Sequence, residues 1–223
     1  QKYVHHEQFF NNFKEYLKWG KLLEISNIGE LNEAVIKRGK GEVINLAEII
    51  QDSKLLSIAQ QIASKKELKM VLLTGPSSSG KTTTSKKLAL YLKTLGLTPH
   101  PLSLDDYFLN RSATPLTEDG KPDYEGIRAI DTDLFNRQLK KLLEGHEVIT
   151  PTYDFITGKK VFNRKLKLNK NDILIVEGLH ALNEEISREI PKSKKYKIYI
   201  SPLIFLNIDD DNRISLTDVR LLR

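Results

Sequence analysis

One stretch constrains this chain more than any other: Val71-Leu-Leu-Thr-Gly-Pro-Ser-Ser-Ser-Gly-Lys-Thr-Thr83. An apolar run, a loop of the form G-x-x-x-x-G-K-[ST] and a helical repeat at Leu88, Leu92 and Leu95 follow one another. The spacing predicts a strand over 68–74, a loop, and a helix ending near Leu95 with Gly96 in the closing position. Glycine at positions 75 and 80 allows backbone angles that a Cβ would oppose, so successive N–H groups can curl around an anion. The helix start adds its positive dipole end and its unsatisfied N–H groups. Lys81 can reach β- and γ-phosphates, and the Thr82 hydroxyl can hold Mg²⁺. The cradle Gly75, Pro76, Ser77, Ser78, Ser79, Gly80, Lys81, Thr82 and Thr83 is therefore the expected site of a nucleoside triphosphate.

The remainder of the chain alternates strands with helices. Residues 97–104 read as a second strand ending in Asp105-Asp106-Tyr107-Phe108. Residues 110–130, with Pro115, Gly120, Pro122 and Gly126, form a long loop of the kind that tends to carry function. Asp131 is placed to cap a helix over 132–143 that Gly145 stops. Segments 148–151 and 161–168 flank the turn Thr157-Gly158-Lys159-Lys160, a hairpin. Four consecutive apolar residues over 173–176 mark a strand buried on both faces, and it ends in Glu177-Gly178. A short helix over 184–190, a strand over 196–200 and a mostly helical tail over 203–223 complete the pattern. Alternation of this kind predicts an α/β fold of P-loop NTPase type, a mostly parallel sheet flanked by helices with ligands at the carboxyl ends of its strands.

Residues 1–66 read as a small helical segment ahead of that sheet. Phe9, Phe13, Tyr16 and Leu17 share one helical face, ending near Gly20. Leu31, Val35 and Ile36 give a second helix closed at Arg38-Gly39, and residues 46–62 a third, with Ile49, Ile50, Leu55, Ile58, Ala59 and Ile62 as its apolar positions. His5 and His6 are adjacent, so they share no helix face, and no carboxylate follows at ligand spacing. The charged stretch Ser64-Lys-Lys-Glu67 separates the two parts, so the expected domains are 1–66 and 67–223.

Composition excludes several classes. No run approaches the roughly 20 apolar residues of a membrane span. Zero cysteines exclude disulfides and thiolate metal sites and fit a reducing, cytoplasmic compartment. The net charge of +6 comes partly from scattered lysines, without a basic helix or arginine cluster, which describes a solvated surface rather than a nucleic-acid interface.

The carboxyl edge of the predicted sheet brings together the phosphate loop, Asp105-Asp106 and Glu177. Phosphoryl transfer needs such parts: a phosphate cradle with a cation, a carboxylate for Mg²⁺, and a carboxylate to accept the acceptor hydroxyl's proton. One of Asp105 and Asp106 can equally be a turn or cap residue. Tyr153 and Phe155, at the same parity of a strand, suit either ordinary packing or a planar ligand.

The ordered motifs Gly75-Pro-Ser-Ser-Ser-Gly-Lys-Thr82, Ser103-Leu-Asp-Asp-Tyr-Phe108, Pro151-Thr-Tyr-Asp-Phe155 and Val176-Glu-Gly-Leu-His180 together resemble the uridine kinase/phosphoribulokinase family of P-loop kinases, over about 68–223. The resemblance implies an ATP- and Mg²⁺-dependent kinase acting on the 5′-hydroxyl of a nucleoside such as uridine or cytidine. It implies Asp105 as general base, with Lys81 serving the phosphates and Thr82, Glu177 and Asp105 around Mg²⁺. Tyr107, Phe108, Tyr153 and Phe155 would contact the nucleoside, Glu125 would take the ribose hydroxyls, and Arg220 and Arg223 would begin an arginine-bearing lid over the triphosphate. Family members with an extra N-terminal region related to part of threonyl-tRNA synthetase make 1–66 the tail of such an extension.

Two departures accompany the resemblance. Where uridine/cytidine kinases usually carry a base-reading histidine, this chain has Thr157-Gly158-Lys159, and the further lid arginines are expected beyond Arg223. The Glu177-Gly-Leu-His180 spelling leans toward the phosphoribulokinase side, with His180 read as a packing or capping residue.

Three rival readings follow from other residues. Asp123-Tyr-Glu-Gly126 and Asn169-Lys-Asn-Asp172 spell GTPase motifs, but the second precedes a strand and the first follows no apolar strand. A kinase fold reduced to an RNA-interaction module has charge in its favour and no RNA-binding motif. A sugar phosphate such as ribulose 5-phosphate as acceptor predicts basic residues at the pocket, for which Lys159 and Lys160 are the candidates. The expected partner is thus a small-molecule nucleoside, without membrane or nucleic acid, and with homo-oligomerisation left open.

Overall fold

The computed structural model describes residues 7–200, 206–209, 211, 212 and 214. The chain forms two compact units, 56–201 and 1–55 with 202–223. Its helices are α1 (Glu7–Leu23), α2 (Ile28–Arg38), α3 (Lys40–Ala63), α4 (Lys81–Thr94) and α5 (Thr132–Leu143). Its strands are β1 (Met70–Thr74), β2 (Thr98–Ser103), β3 (Val148–Asp154), β4 (Lys159–Leu166), β5 (Asp172–Glu177) and β6 (Lys195–Tyr199).

Four strands form a parallel sheet in the order β2-β5-β1-β6. Alternation of side chains along each strand sends its residues to opposite faces. Met70, Leu72, Leu102, Leu174 and Val176 enter one core with Phe135, Leu139 and Leu142 of α5. Val71, Ile173 and Ile175 enter the other with Leu88 and Leu92 of α4 and Ala59 and Ile62 of α3. Every residue of β1 is buried, as is every residue of β5 except Glu177. Burying one such aliphatic side chain contributes about 1.5–3 kcal/mol, so both faces must be covered for these strands to be stable. The hairpin β3–β4 is a separate antiparallel pair with a register shift between Thr150 and Pro151.

Local chemistry sets the ends. The Asp131 carboxylate accepts the Leu134 N–H and starts α5, and Gly145 at φ 83° follows its end. Gly96 at φ 83° closes α4 in the same way. The first helix, expected to end near Gly20, continues to Leu23. Its left-handed closing residue is Glu24, at φ 55°, and the Ile25 N–H bonds back to the Gly20 carbonyl. Gly20 is buried within the helix, and no glycine marked the true stop. The helix expected over 184–190 is only a 3₁₀ turn, Glu184–Ser187. The Asn136 amide takes the Glu185 carbonyl, and Pro191 disfavours helical angles at Ile190. The helical tail expected over 203–223 lies largely outside the described residues, as do His5, His6, Arg220 and Arg223.

In the other unit, α2 is capped by the Asn27 side chain, which accepts the Glu30 N–H, and is closed by Gly39. Leu23, Ile25, Ala34 and Val43 form its small core.

Candidate active site

The strand order places the end of β5 between the ends of β1 and β2. Glu177 lies in register with Leu73 on one side and Ser103 on the other. Further bonds tie the ends of β1 and β5 together. The Thr74 hydroxyl donates to the Leu179 carbonyl at 2.6 Å, and the Gly178 N–H donates to the Leu73 carbonyl at 3.2 Å. A Cβ on Gly178 would stand 2.7 Å from the Cβ of Leu104, so glycine there lets the end of β2 pack close.

The loop after β1 is shaped for an anion. Ser78 (φ 59°) and Gly80 (φ 85°) are both left-handed, which turns the backbone into a concavity. Gly75 is needed for a different reason from that expected. Its φ is not positive, but a Cβ would lie 2.5 Å from the Ile200 carbonyl oxygen and 2.7 Å from Ser79 Oγ. Unlike α2 and α5, α4 begins without a side-chain cap. Its first N–H groups therefore face the loop without an internal acceptor, the condition under which a helix start binds phosphate. Ser79 Oγ is buried with no hydrogen-bond partner, and Lys81 Nζ lies 3.0 Å from the carbonyls of both Gly75 and Pro76. An orphaned hydroxyl and a lysine folded over the same concavity fit a triphosphate.

Thr82 Oγ1 stands 3.2 Å from each carboxylate oxygen of Glu177. Neighbouring ligands of an octahedral ion with bonds of about 2.1 Å lie about 3 Å apart, so this oxygen pair fits Mg²⁺. No cluster of three or more histidine, cysteine or acidic residues among the described residues offers an all-protein metal cage. Hard oxygen donors completed by phosphate oxygens are the arrangement such an ion prefers.

Asp105 and Asp106 divide their work. They lie on a 3₁₀ turn after β2, started by the Ser103 hydroxyl, which accepts the Asp105 N–H. Asp106 anchors the hairpin by accepting the Tyr153 N–H at 3.2 Å. Asp105 makes no such structural bond among the described residues. Desolvation by its surroundings pushes its carboxyl above the usual range; the Lys81 charge opposes this, and Asp106 adds to it.

Beyond that turn lies a cavity of about 290 Å³ lined by Phe108, Leu109, Arg111, Thr114, Tyr124, Tyr153 and Phe155. Phe108, Tyr153 and Phe155 meet edge to face, with ring centroids 5.0 to 6.5 Å apart. The sequence located those three rings. It missed Arg111, Thr114 and Tyr124, which come from the long loop and carry no local signal. Tyr107 is a correction: it is fully buried, packs at 4.9 Å against Phe135 and donates to Gln138, so it belongs to the core. Glu125 is exposed, and its carbonyl is 2.6 Å from His180 Nε2, so that nitrogen is the donor. His180 thus links the segment after Glu177 to the Glu125 loop. Lys160 is engaged by Asp131 at 2.5 Å.

Both GTPase-like spellings are local turns. Asp123 Oδ1 accepts the N–H groups of Glu125 and Gly126. Asp172 Oδ2 accepts from Asn169 and pairs with His100 at the amino end of β5.

A parallel sheet with an uncapped phosphate loop, a threonine–carboxylate pair and a second-strand aspartate at one edge defines the P-loop kinase class. The chain belongs to the phosphoribulokinase / uridine kinase family, whose sequence profile matches residues 70–211. It is 33% identical over 153 residues to the uridine kinase of Ligilactobacillus salivarius (strain UCC118), covering 68% of this chain and 66% of that one. To the uridine kinase of Leuconostoc citreum (strain KM20) it is 30% identical over 141 residues, covering 63% and 62%. The chain thus spans 62–66% of the length of these curated relatives. A solved structure of a possible uridine kinase from Bacillus stearothermophilus aligns with TM-score 0.48 at 23% identity, covering 59% of this chain and 70% of that one.

Proposed function

We propose that the protein transfers the γ-phosphoryl group of ATP to the 5′-hydroxyl of a nucleoside in the presence of Mg²⁺. The observation that carries this reading is the position of Asp105 on the turn after β2, two residues past Ser103, the register partner of Glu177, and three before Phe108 of the aromatic cavity. The Asp105 carboxyl feels the Lys81 charge. The chain's residues divide the reaction among them. The loop N–H groups, Ser79 and Lys81 hold the phosphates, and the cavity rings hold the base. Asp105 orients the acceptor hydroxyl and takes its proton as the new O–P bond forms and the bond to the leaving ADP breaks. Thr82 and Glu177 would hold Mg²⁺, which would supply positive charge to stabilise the transferring phosphoryl group. Glu125 would accept from the ribose hydroxyls. The relatives' names favour a pyrimidine nucleoside, and the reading places the enzyme in cytoplasmic nucleoside salvage. A sugar-phosphate acceptor would need basic groups at the cavity: Lys160 is paired with Asp131, and Arg111 is the one cation in a lining made mostly of rings and uncharged residues.

The test is ATP consumption by the full-length protein with Mg²⁺ and a panel of nucleosides, ribulose 5-phosphate and no acceptor. Nucleoside-dependent turnover is expected, with Asp105→Asn lowering kcat by roughly 10²–10⁴-fold while ATP still binds. Near-normal turnover in that variant would remove Asp105 from the base role. Turnover with the sugar phosphate alone would overturn the acceptor.

A further inference from the structure

The cavity's seven lining residues include one cation, Arg111, and no carboxylate. Arg111 is fixed at the rim by three features of the hairpin turn. Its backbone N–H donates to the Gly158 carbonyl at 2.8 Å. Its Nη2 donates to the Phe155 carbonyl at 2.7 Å. Gly158, at φ 68°, leaves the space the arginine stem fills: a Cβ there would lie 2.7 Å from Arg111 Cβ and 2.9 Å from its Nε. The nearby Asp154 carboxylate closes the turn, accepting from the N–H groups of Ile156 and Thr157 and the Thr157 hydroxyl. Among the described residues, the guanidinium's one hydrogen bond is to the Phe155 carbonyl, and its charge acts on the nearby Asp154 carboxylate. A guanidinium has five N–H donors in a rigid plane and no acceptor.

We propose that Arg111 selects the acceptor nucleoside by donating two parallel hydrogen bonds to a base edge that carries two adjacent acceptors. This rests on the nucleoside kinase reading above and says which bases that site takes. Cytosine offers such an edge in O2 and N3, and guanine in O6 and N7. Uracil presents N3–H between its two carbonyls, and adenine presents N6–H₂ beside N7, so each meets the fork with a donor. The three rings supply stacking that any base accepts; the arginine supplies the discrimination.

The experiment measures kcat/KM of the full-length protein for cytidine, uridine, guanosine, adenosine and ribulose 5-phosphate. It compares wild type with Arg111→Lys, Arg111→Ala and Gly158→Ala, with Tm as a folding check. A bidentate pair discriminates by roughly 5- to 150-fold, so cytidine over uridine or guanosine over adenosine should differ by that ratio. The pair showing the ratio identifies the base. Arg111→Lys keeps the charge but not the fork, and Gly158→Ala displaces the stem, so both should collapse the ratio toward one with the KM for ATP unchanged. Nucleoside turnover with no such ratio, or with a ratio the variants preserve, overturns the role of Arg111 and leaves the kinase reading standing. Turnover of sugar phosphates alone overturns both.

Discussion

At the scale of single residues, the site depends on groups whose neighbours alter their ordinary behaviour. Asp105 is a carboxyl pushed upward by desolvation. A raised folded-state value means the charged form is disfavoured in the fold, so ionised Asp105 lowers stability above its titration range. Asp105→Asn should therefore leave Tm unchanged or raised at neutral pH while turnover falls. The acid limb of the wild-type kcat/KM profile should lie above the roughly 3.9 of a free aspartate. A matching loss of Tm would make the residue structural. Gly75 is constrained by space: Gly75→Ala drives a methyl into the Ile200 carbonyl, which is backbone and cannot swing aside. Triphosphate binding should weaken by tenfold or more, roughly 1.4 kcal/mol, in a nucleotide titration. Unchanged affinity would show that the loop tolerates a different path.

At the scale of elements, the amino ends of β2 and β5 are fastened by a pair the sequence presents only as a decoy. Asp172 is buried, and although burial opposes its charge, bonds from Asn169 and His100 hold its carboxyl below the usual range. A lowered folded-state value contributes stability that is fully present above the unfolded value, and that is lost as pH falls through the folded one. Asp172→Asn should cost roughly 1–3 kcal/mol at neutral pH. It should also flatten the loss of Tm as pH falls through and below the ordinary aspartate range. Equal acid sensitivity in variant and wild type would assign the acid response to other carboxylates. These elements also show what a sequence can carry. The capping Asp131 and the stop glycines 96 and 145 were legible because their chemistry is confined to a few neighbouring residues. The end of α1 was not, because a glutamate holds the left-handed position there.

At the scale of the whole molecule, the sheet is stable because it is covered on both faces. Part of that cover is the last turns of α3: Ala59 and Ile62 are buried with Val71, Leu88 and Ile175. Ile62→Ala should cost about 2–5 kcal/mol in a denaturant titration. Ile36→Ala, at a position 83% exposed, should stay within about 0.5 kcal/mol. Similar effects from the two would mean that the α3 contact contributes little to the sheet.

The sequence by itself determined most of the elements and the shape of the loop after β1. Periodicity, capping and the glycine-spaced loop are short-range, so the strand–loop–helix unit, α5, the hairpin and the acid-bearing strand ends could be read directly. Tertiary structure decided everything that joins distant segments. Strand order alone sets Glu177 between the phosphate loop and Asp105. Packing sent Tyr107 into the core and left Phe108 to the cavity. The meeting of Arg111 with Gly158, 47 positions apart by their numbers, placed a cation at the cavity rim. Such pairs arise when loops from different strands converge at one sheet edge, and no local pattern encodes which loop will meet which.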